Sequence, residues 1–175
     1  MGRSCAGPAI EPNRIHGHGR SGGWHWGDRM GKVKVVFPLE RDADGYPPVD
    51  VELAWATPLD EPGLCRLENI PFYAVGVSLG DEIGVSLVEG RIVFNGMVRS
   101  KDHATIRVVV FNPGETGAVI RDVESAGGRC EVANIPNLIA VDVSDSSLIP
   151  AVRRALGRWL MGRKIDVEES NVRVG

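Results

Sequence analysis

Residues 105–111 read Thr-Ile-Arg-Val-Val-Val-Phe and carry the strongest strand signal in the chain. Nearly every residue of this stretch is β-branched or aromatic, and these side chains pack well on a pleated, half-buried surface. We therefore predict a β-strand over these residues.

C-terminal to this strand, helical and strand patterns alternate. A helix is predicted over 115–126, because Val119, Ile120 and Val123 share one stripe and Gly127 follows as a C-terminal cap. Strands at 129–135 and 138–143, a second helix capped by Ser146 or Ser147, and a last strand at 165–170 complete the pattern. The order β-α-β-β-α-β is typical of a ferredoxin-like unit.

The second predicted helix has an apolar stripe and a basic side. Pro150 suits its first turn. The stripe, at helical spacing, consists of Leu148, Val152, Ala155, Leu156, Trp159 and Leu160. The basic side carries Arg153, Arg154, Arg158, Arg163 and Lys164, which a solvated helix face explains adequately.

N-terminal to residue 105, the pattern is all β. Short strands are predicted at 33–37, 49–57, 64–70, 83–88 and 91–98, linked by turns. Residues 49–57 alternate, with Val49, Val51, Leu53 and Trp55 on one face, which indicates a half-buried strand. The fold class is therefore α+β, with a small barrel or curled sheet before the ferredoxin-like half.

These patterns divide the chain into three segments: a tail over 1–30, a β-rich subdomain over 31–100 and a ferredoxin-like subdomain over 101–175. The tail is rich in Gly and Arg and has no periodicity, so we predict that it is disordered. A start of translation at Met30 is the alternative explanation. His16, His18 and His25 lie in this tail without a scaffold, and we predict no metal site there.

Composition excludes several classes of function. The 175 residues carry a net charge of −3, which argues against a nucleic-acid-binding protein. No apolar run is long enough to cross a membrane, and the N-terminus has no secretory signal. Three widely spaced cysteines, Cys5, Cys65 and Cys130, fit a reducing cytoplasm and no metal-ligand pattern. We therefore expect a cytoplasmic protein without a membrane segment.

Signatures of cofactor binding and catalysis are missing. The sequence contains no Gly-rich phosphate loop and no zinc-binding helix, so no cofactor and no metal are predicted. Residues 76–80 match the Gly-x-Ser-x-Gly nucleophile pattern, which requires a helix immediately afterwards. A strand is predicted there instead, and the match therefore does not indicate a nucleophile.

A set of polar residues in or beside the predicted strands is the best candidate site. His103 is the natural acid or base, with Asp81 or Glu52 to orient its ring. Arg107 is suited to hold an anion. The remaining candidate binding residues are Thr105, Asn69, Phe72 and Trp55. A structural role, in turns or in a Glu52–Arg107 pair, explains the same residues better than a catalytic one.

Four blocks of sequence resemble a known family. They are residues 52–56 (Glu-Leu-Ala-Trp-Ala), 67–72 (Leu-Glu-Asn-Ile-Pro-Phe), 80–81 (Gly-Asp) and 103–107 (His-Ala-Thr-Ile-Arg). Together they look like the characteristic blocks of the bacterial domain-of-unknown-function 4265 family, over about residues 32–170. The resemblance implies no activity. The family pattern commonly has Gly before the His, where this chain has Asp102.

Three hypotheses of function remain open. The first is a bacterial cytoplasmic binding or regulatory module that recognises another protein, such as a small partner or immunity-type protein. The second is a small enzyme that uses His103 with Asp81 or Glu52 and holds its substrate through Arg107. The third, nucleic-acid binding through the basic helix, predicts a steep salt dependence.

Overall fold

The computed structural model describes residues 31–172 and confirms the α+β class, with a barrel followed by a second sheet and two helices. The predictions made for residues 1–30 lie outside the described residues. Neither helix within residues 31–172 has the length and apolar character needed to cross a membrane.

The first half of the described chain is a five-stranded barrel. Neighbouring strands pair antiparallel in sequence order, and a short parallel pairing of Val35 with Ile92 and of Val36 with Val93 closes the barrel. The strands are β1 (Val33–Pro38), β2 (Val51–Pro58), β3 (Leu64–Leu67), β4 (Glu82–Val88) and β5 (Arg91–Arg99).

The prediction that one apolar face of strand 49–57 points into the core is wrong. Ala54 and Ala56 point inward, whereas Val51, Leu53 and Trp55 are 46%, 56% and 44% exposed. Both faces of β2 carry apolar side chains, so alternation alone does not identify the inner one. The narrow interior already holds larger side chains, among them Phe37, Leu67 and Ile83, and small alanines fit beside them.

The second half contains the predicted β-α-β-β-α-β unit. Its sheet has the order β7-β8-β6-β9 with antiparallel pairing throughout, and the predicted strand 105–111 is the central strand β6. The elements are β6 (Ala104–Val110), α1 (Thr116–Ser125), β7 (Arg129–Val132), β8 (Leu138–Val143), α2 (Ile149–Met161) and β9 (Ile165–Asn171).

Both helices pack on one face of this sheet. Val123 of α1 and Val152 and Leu156 of α2 join Ile106 and Val108 in a single buried cluster. The predicted stripe of the second helix is wrong at one end, since Leu160 is 42% exposed.

The start of α2 also differs from the expectation. Asp145, and neither Ser146 nor Ser147, accepts the capping hydrogen bond, at 2.8 Å from the backbone N–H of Ser147. The cap belongs to a short 3₁₀ turn (Ser146–Leu148) that precedes the α-helix, and Pro150 occupies the first turn of α2 as predicted.

The two described cysteines should be chemically inert in the folded protein. Burial raises the pKa of the Cys65 thiol to about 11, and burial together with the Glu124 carboxylate raises that of Cys130 to about 12. At about pH 8 a thiol with such a pKa is only ~0.1% thiolate, the reactive form. We expect a Cys5→Ser variant to show no fast reaction with dithiobis-nitrobenzoate until guanidinium chloride unfolds it and exposes two thiols. Rapid stoichiometric labelling of the folded variant would contradict this packing.

Candidate functional site

The sheet face opposite the helices is polar and yet buried. Side chains of β6 alternate, so that Ile106 and Val108 enter the helix-covered core while Thr105 and Arg107 project from the other face. Thr105 is fully buried and Arg107 is 3% exposed. This face is covered by the irregular connection between β3 and β4, residues 68–81, which we call the strap.

Strand register aligns the polar residues of this face in two rows across the sheet. The first row is Arg129, Asp142, Thr105 and Asn171, and the second is Glu131, Ala140, Arg107 and Glu168. Cross-strand neighbours stand close enough to interact directly, which brings residues distant in sequence together on one surface.

The strap contacts both rows. Ser78 is fully buried, its Oγ lies 2.8 Å from Thr105 Oγ1, and it accepts a 2.8 Å hydrogen bond from Asn171 Nδ2. Arg107 donates through Nη2 to the carbonyl oxygen of Ala74 at 2.7 Å. Ser78 of the Gly-x-Ser-x-Gly match is thus part of a buried junction, and strand β4 follows it, where a nucleophile elbow requires a helix.

Glu52 holds the middle of the strap. Its carboxylate accepts three backbone hydrogen bonds, from the N–H groups of Phe72 (2.7 Å), Tyr73 (2.9 Å) and Ala74 (2.7 Å). A carboxylate that is bonded in this way provides hydrogen-bond acceptors for the N–H groups of a backbone turn that belongs to no helix or sheet. The structure therefore gives the predicted candidate acid or base Glu52 a structural role, and it is not paired with Arg107.

Asn69 fixes the beginning of the strap. Its Oδ1 accepts a 2.7 Å hydrogen bond from the backbone of Trp55, and its Nδ2 lies 3.4 Å from Glu131 Oε2. The ring of Trp55 lies elsewhere, on the outer surface of the barrel, with Lys34 Nζ 5.1 Å from its centroid. Among the predicted binding residues, Asn69 therefore meets the backbone of Trp55, whereas the backbone N–H of Phe72 is bound by Glu52.

Asp81 lies at the end of the strap and is fully buried. Its carboxylate accepts backbone hydrogen bonds from Ser78 (2.9 Å) and Lys101 (2.8 Å). Both oxygens are thus engaged by turns, and neither is hydrogen-bonded to His103.

The partner of His103 is Asp142. His103 Nδ1 lies 2.7 Å from Asp142 Oδ1, and the Asp142 side chain is 4% exposed. Burial raises the pKa of the Asp142 carboxyl, and the hydrogen bond from His103 lowers it in part. Asp102, directly before the histidine, has a positive φ of 61°, a backbone conformation that glycine adopts more readily than other residues.

Arg107 makes two hydrogen bonds among the described residues. Its Nη1 donates to Glu168 Oε1 at 3.0 Å, its Nη2 donates to Ala74, and its buried Nε has no partner among the described residues. The guanidinium is thus fixed between the strap and β9. The role of Arg107 as an anion holder stays a prediction, and the anionic group that it binds in the structure is the carboxylate of Glu168.

A cleft opens beside this pair, between the barrel, the strap and the second sheet. It encloses about 420 Å³ and includes two aromatic pairs among its lining residues. Phe37 and Phe94 stack with centroids 4.7 Å apart, and Tyr46 meets Tyr73 edge-on at 6.0 Å. Burial raises the pKa of both tyrosines, and Arg107 lowers it in part, so the phenols are neutral at ordinary pH.

A second cavity of about 270 Å³ adjoins the cleft, since Tyr46 and Tyr73 line both. Its other walls include Val109 and Ile135, which are 37% and 49% exposed. Both cavities are mostly apolar, which is the usual character of a ligand-binding site.

Several residues of the junction are absent from the sequence-predicted set: Asp142, Glu168, Glu40, Tyr46 and Phe94. Only Asp142 has a sequence signal, as the single charged residue of the otherwise apolar run 138–143. The others come from loops and from strands β5 and β9, on both halves of the chain, and no local pattern connects them.

A small barrel joined to a ferredoxin-like sheet, with a cleft between them, defines the structural class of this protein. Residues 52–163 match the model of the domain of unknown function DUF4265, and the chain belongs to this family. A hypothetical protein from Neisseria gonorrhoeae shares the fold, with a TM-score of 0.67 and 17% identity over 84% of this chain and 99% of that one. No curated protein matches the sequence.

The role of Glu52 can be tested by substitution. Glu52→Ala leaves three backbone N–H groups of the strap without an acceptor, and we expect it to lower the free energy of unfolding by about 2–4 kcal/mol. Asp50→Asn is the matched control, since Asp50 is an exposed carboxylate two residues away that pairs with exposed Arg41. Urea unfolding measures both variants, and equal stabilities would contradict the anchoring role.

Proposed function

We propose that this protein is a binding module that recognises another protein, and that a segment of that partner occupies the cleft between barrel and sheet. The observation that carries the proposal is the pair of adjoining cavities, lined by aromatic rings and exposed aliphatic side chains. Aromatic residues are enriched at the energetic centres of protein interfaces. An exposed Val75, at 68%, stands at the rim and adds apolar contact area.

The same geometry supports binding over catalysis. The carboxylates of Glu52 and Asp81 hold backbone, and His103, with its buried partner Asp142, is not among the residues that line the cleft. The His103–Asp142 hydrogen bond is the observation that favours the enzyme alternative. No nucleophile joins it, because Ser78 is buried at the strap.

The proposal also covers the cellular location of the protein and the question of nucleic-acid binding. A bacterial cytoplasmic location is supported by membership of the DUF4265 family, as the sequence resemblance implies, and by the sparse cysteines. Nucleic-acid binding through α2 is disfavoured, because acidic neighbours pair with three of its five basic residues: Arg153 with Glu169, Arg158 with Asp122 and, beyond the helix, Lys164 with Glu115.

Site-specific photocross-linking tests the proposal. The photoreactive residue p-benzoylphenylalanine replaces Val75 at the cleft or, as the control, Met161, which is 81% exposed at the end of α2. We expect one discrete protein adduct, identified by mass spectrometry, from position 75 and none from position 161. The substitution His103→Gln, combined with the photoreactive residue at position 75, should leave the adduct unchanged. This result would separate binding from chemistry at the histidine.

The identified partner then allows a quantitative check. Val75→Trp, which fills the mouth of the cleft, should weaken the affinity for the purified partner about tenfold, equivalent to about 1.4 kcal/mol. Met161→Trp should leave it unchanged. The proposal fails if the adducts at both positions are the same, if no adduct forms, or if the affinity of Val75→Trp equals that of the parent.

A further inference from the structure

The charges around the cleft determine which side chain it can accept. Apart from the neutral tyrosines, its ionisable lining residues are Glu40, Glu168 and Arg107, two carboxylates and one guanidinium. The cleft therefore has a formal charge of −1 when empty. An acidic side chain entering it would meet two carboxylates of like charge.

Arg107 offsets the charge of one of these carboxylates, that of Glu168, with which it forms an ion pair. It is 3% exposed, its two terminal nitrogens are committed to Glu168 and Ala74, and its remaining nitrogen is buried. An acidic ligand that displaced Glu168 from the guanidinium would break this ion pair, and breaking a buried pair is strongly unfavourable.

The two carboxylates, in contrast, retain capacity to accept hydrogen bonds. The Glu168 side chain is 50% exposed, and its Oε2 makes no hydrogen bond within residues 31–172. Glu40 is exposed and has neither a hydrogen bond nor an ion pair in the described part of the chain. Both are available to a donor that enters the cleft.

The aromatic lining favours the same ligand. Four rings, those of Phe37, Phe94, Tyr46 and Tyr73, border the cleft, and the face of an aromatic ring attracts a cation. A guanidinium adds planar stacking and a two-point bond to a carboxylate, which an ammonium lacks. Aromatic rings beside carboxylates therefore match an arginine side chain best, and a lysine side chain second.

We infer that the cleft accepts a basic side chain of the partner, an inference that rests on the proposed protein-binding function. The cationic head of this side chain lies at Glu168 and Glu40, and its aliphatic stem lies against the aromatic rings. The partner segment is accordingly basic at the residue that enters the cleft. Such a residue at the centre of an interface is an anchor on which most of the binding energy depends.

The test uses four small probes on the full chain, observed through backbone amide shifts in ¹H–¹⁵N NMR spectra. The probes are the Nα-acetyl methylamides of arginine, lysine, citrulline and glutamate; citrulline has nearly the shape of arginine without its charge. We expect the arginine and lysine probes to shift the amides of Tyr46, Val75 and Glu168. Binding of arginine should be about tenfold tighter than binding of citrulline, and glutamate should not bind.

Matched variants locate the effect. Glu40→Gln and Glu168→Gln should each weaken binding of the arginine probe several-fold, and Glu168→Gln should weaken it up to about tenfold. Glu169→Gln is the control, because Glu169 neighbours Glu168 on β9 but is paired with Arg153. Glu40 has no partner within the described residues, so its substitution tests the charge without disturbing the fold.

The outcomes separate the inference from the proposed function. Equal binding of citrulline and arginine, preference for glutamate, or no shift at the cleft at the highest soluble arginine concentration would overturn the inference. If the Val75 adduct nevertheless forms, and Glu168→Gln leaves the partner affinity unchanged, the binding function stands with a different anchor. If no adduct forms at Val75, the proposed function itself fails.

Discussion

The organisation of this protein depends on the satisfaction of buried polar groups where the strap lies on the second sheet. Apart from Thr116, the buried polar residues of the described chain, Ser78, Asp81, Thr105, Arg107 and Asp142, all belong to this junction or its edges. Unpaired buried polar groups are costly, and their mutual hydrogen bonds therefore restrict the strap to one conformation. Glu52 contributes from the barrel side by binding three successive backbone N–H groups.

The cleft is a consequence of this restriction. The carbonyl of Ala74 is bonded to Arg107 and the N–H of Tyr73 is bonded to Glu52, and these bonds position the backbone that carries the Tyr73 ring beside Tyr46. A preformed wall of this kind reduces the entropy that binding must overcome. The ion pair of Arg107 and Glu168 adds a second effect, since it neutralises the buried cation and leaves a carboxylate oxygen facing outward.

The sequence predicted individual elements better than it predicted their assembly. Strands are found where β-branched runs indicated them, at Val33–Pro38, Arg91–Arg99 and Ala104–Val110. The turn at Glu89–Gly90 has the positive φ angles that a two-residue hairpin requires. The sequence was less able to predict which face of a strand points into the core, since β2 has apolar residues on both faces. In the candidate site, His103 does bond a carboxylate, but Asp142 takes the place expected for Asp81 or Glu52, and it lies 39 residues away in sequence.

By itself, the sequence determined the α+β class, the order of strands and helices, the membership of the DUF4265 family and the polar residues set among apolar strands. These properties are local, because periodicity, turn chemistry and short motifs are written in neighbouring residues. Only the tertiary structure decided which carboxylate meets which donor and where a cleft opens. Cross-strand register places Arg107 beside Glu168, and packing of the barrel brings Tyr46 and Phe94 to the same cleft. Contacts between residues this far apart in the chain follow from how two sheets pack, and no local pattern encodes that packing.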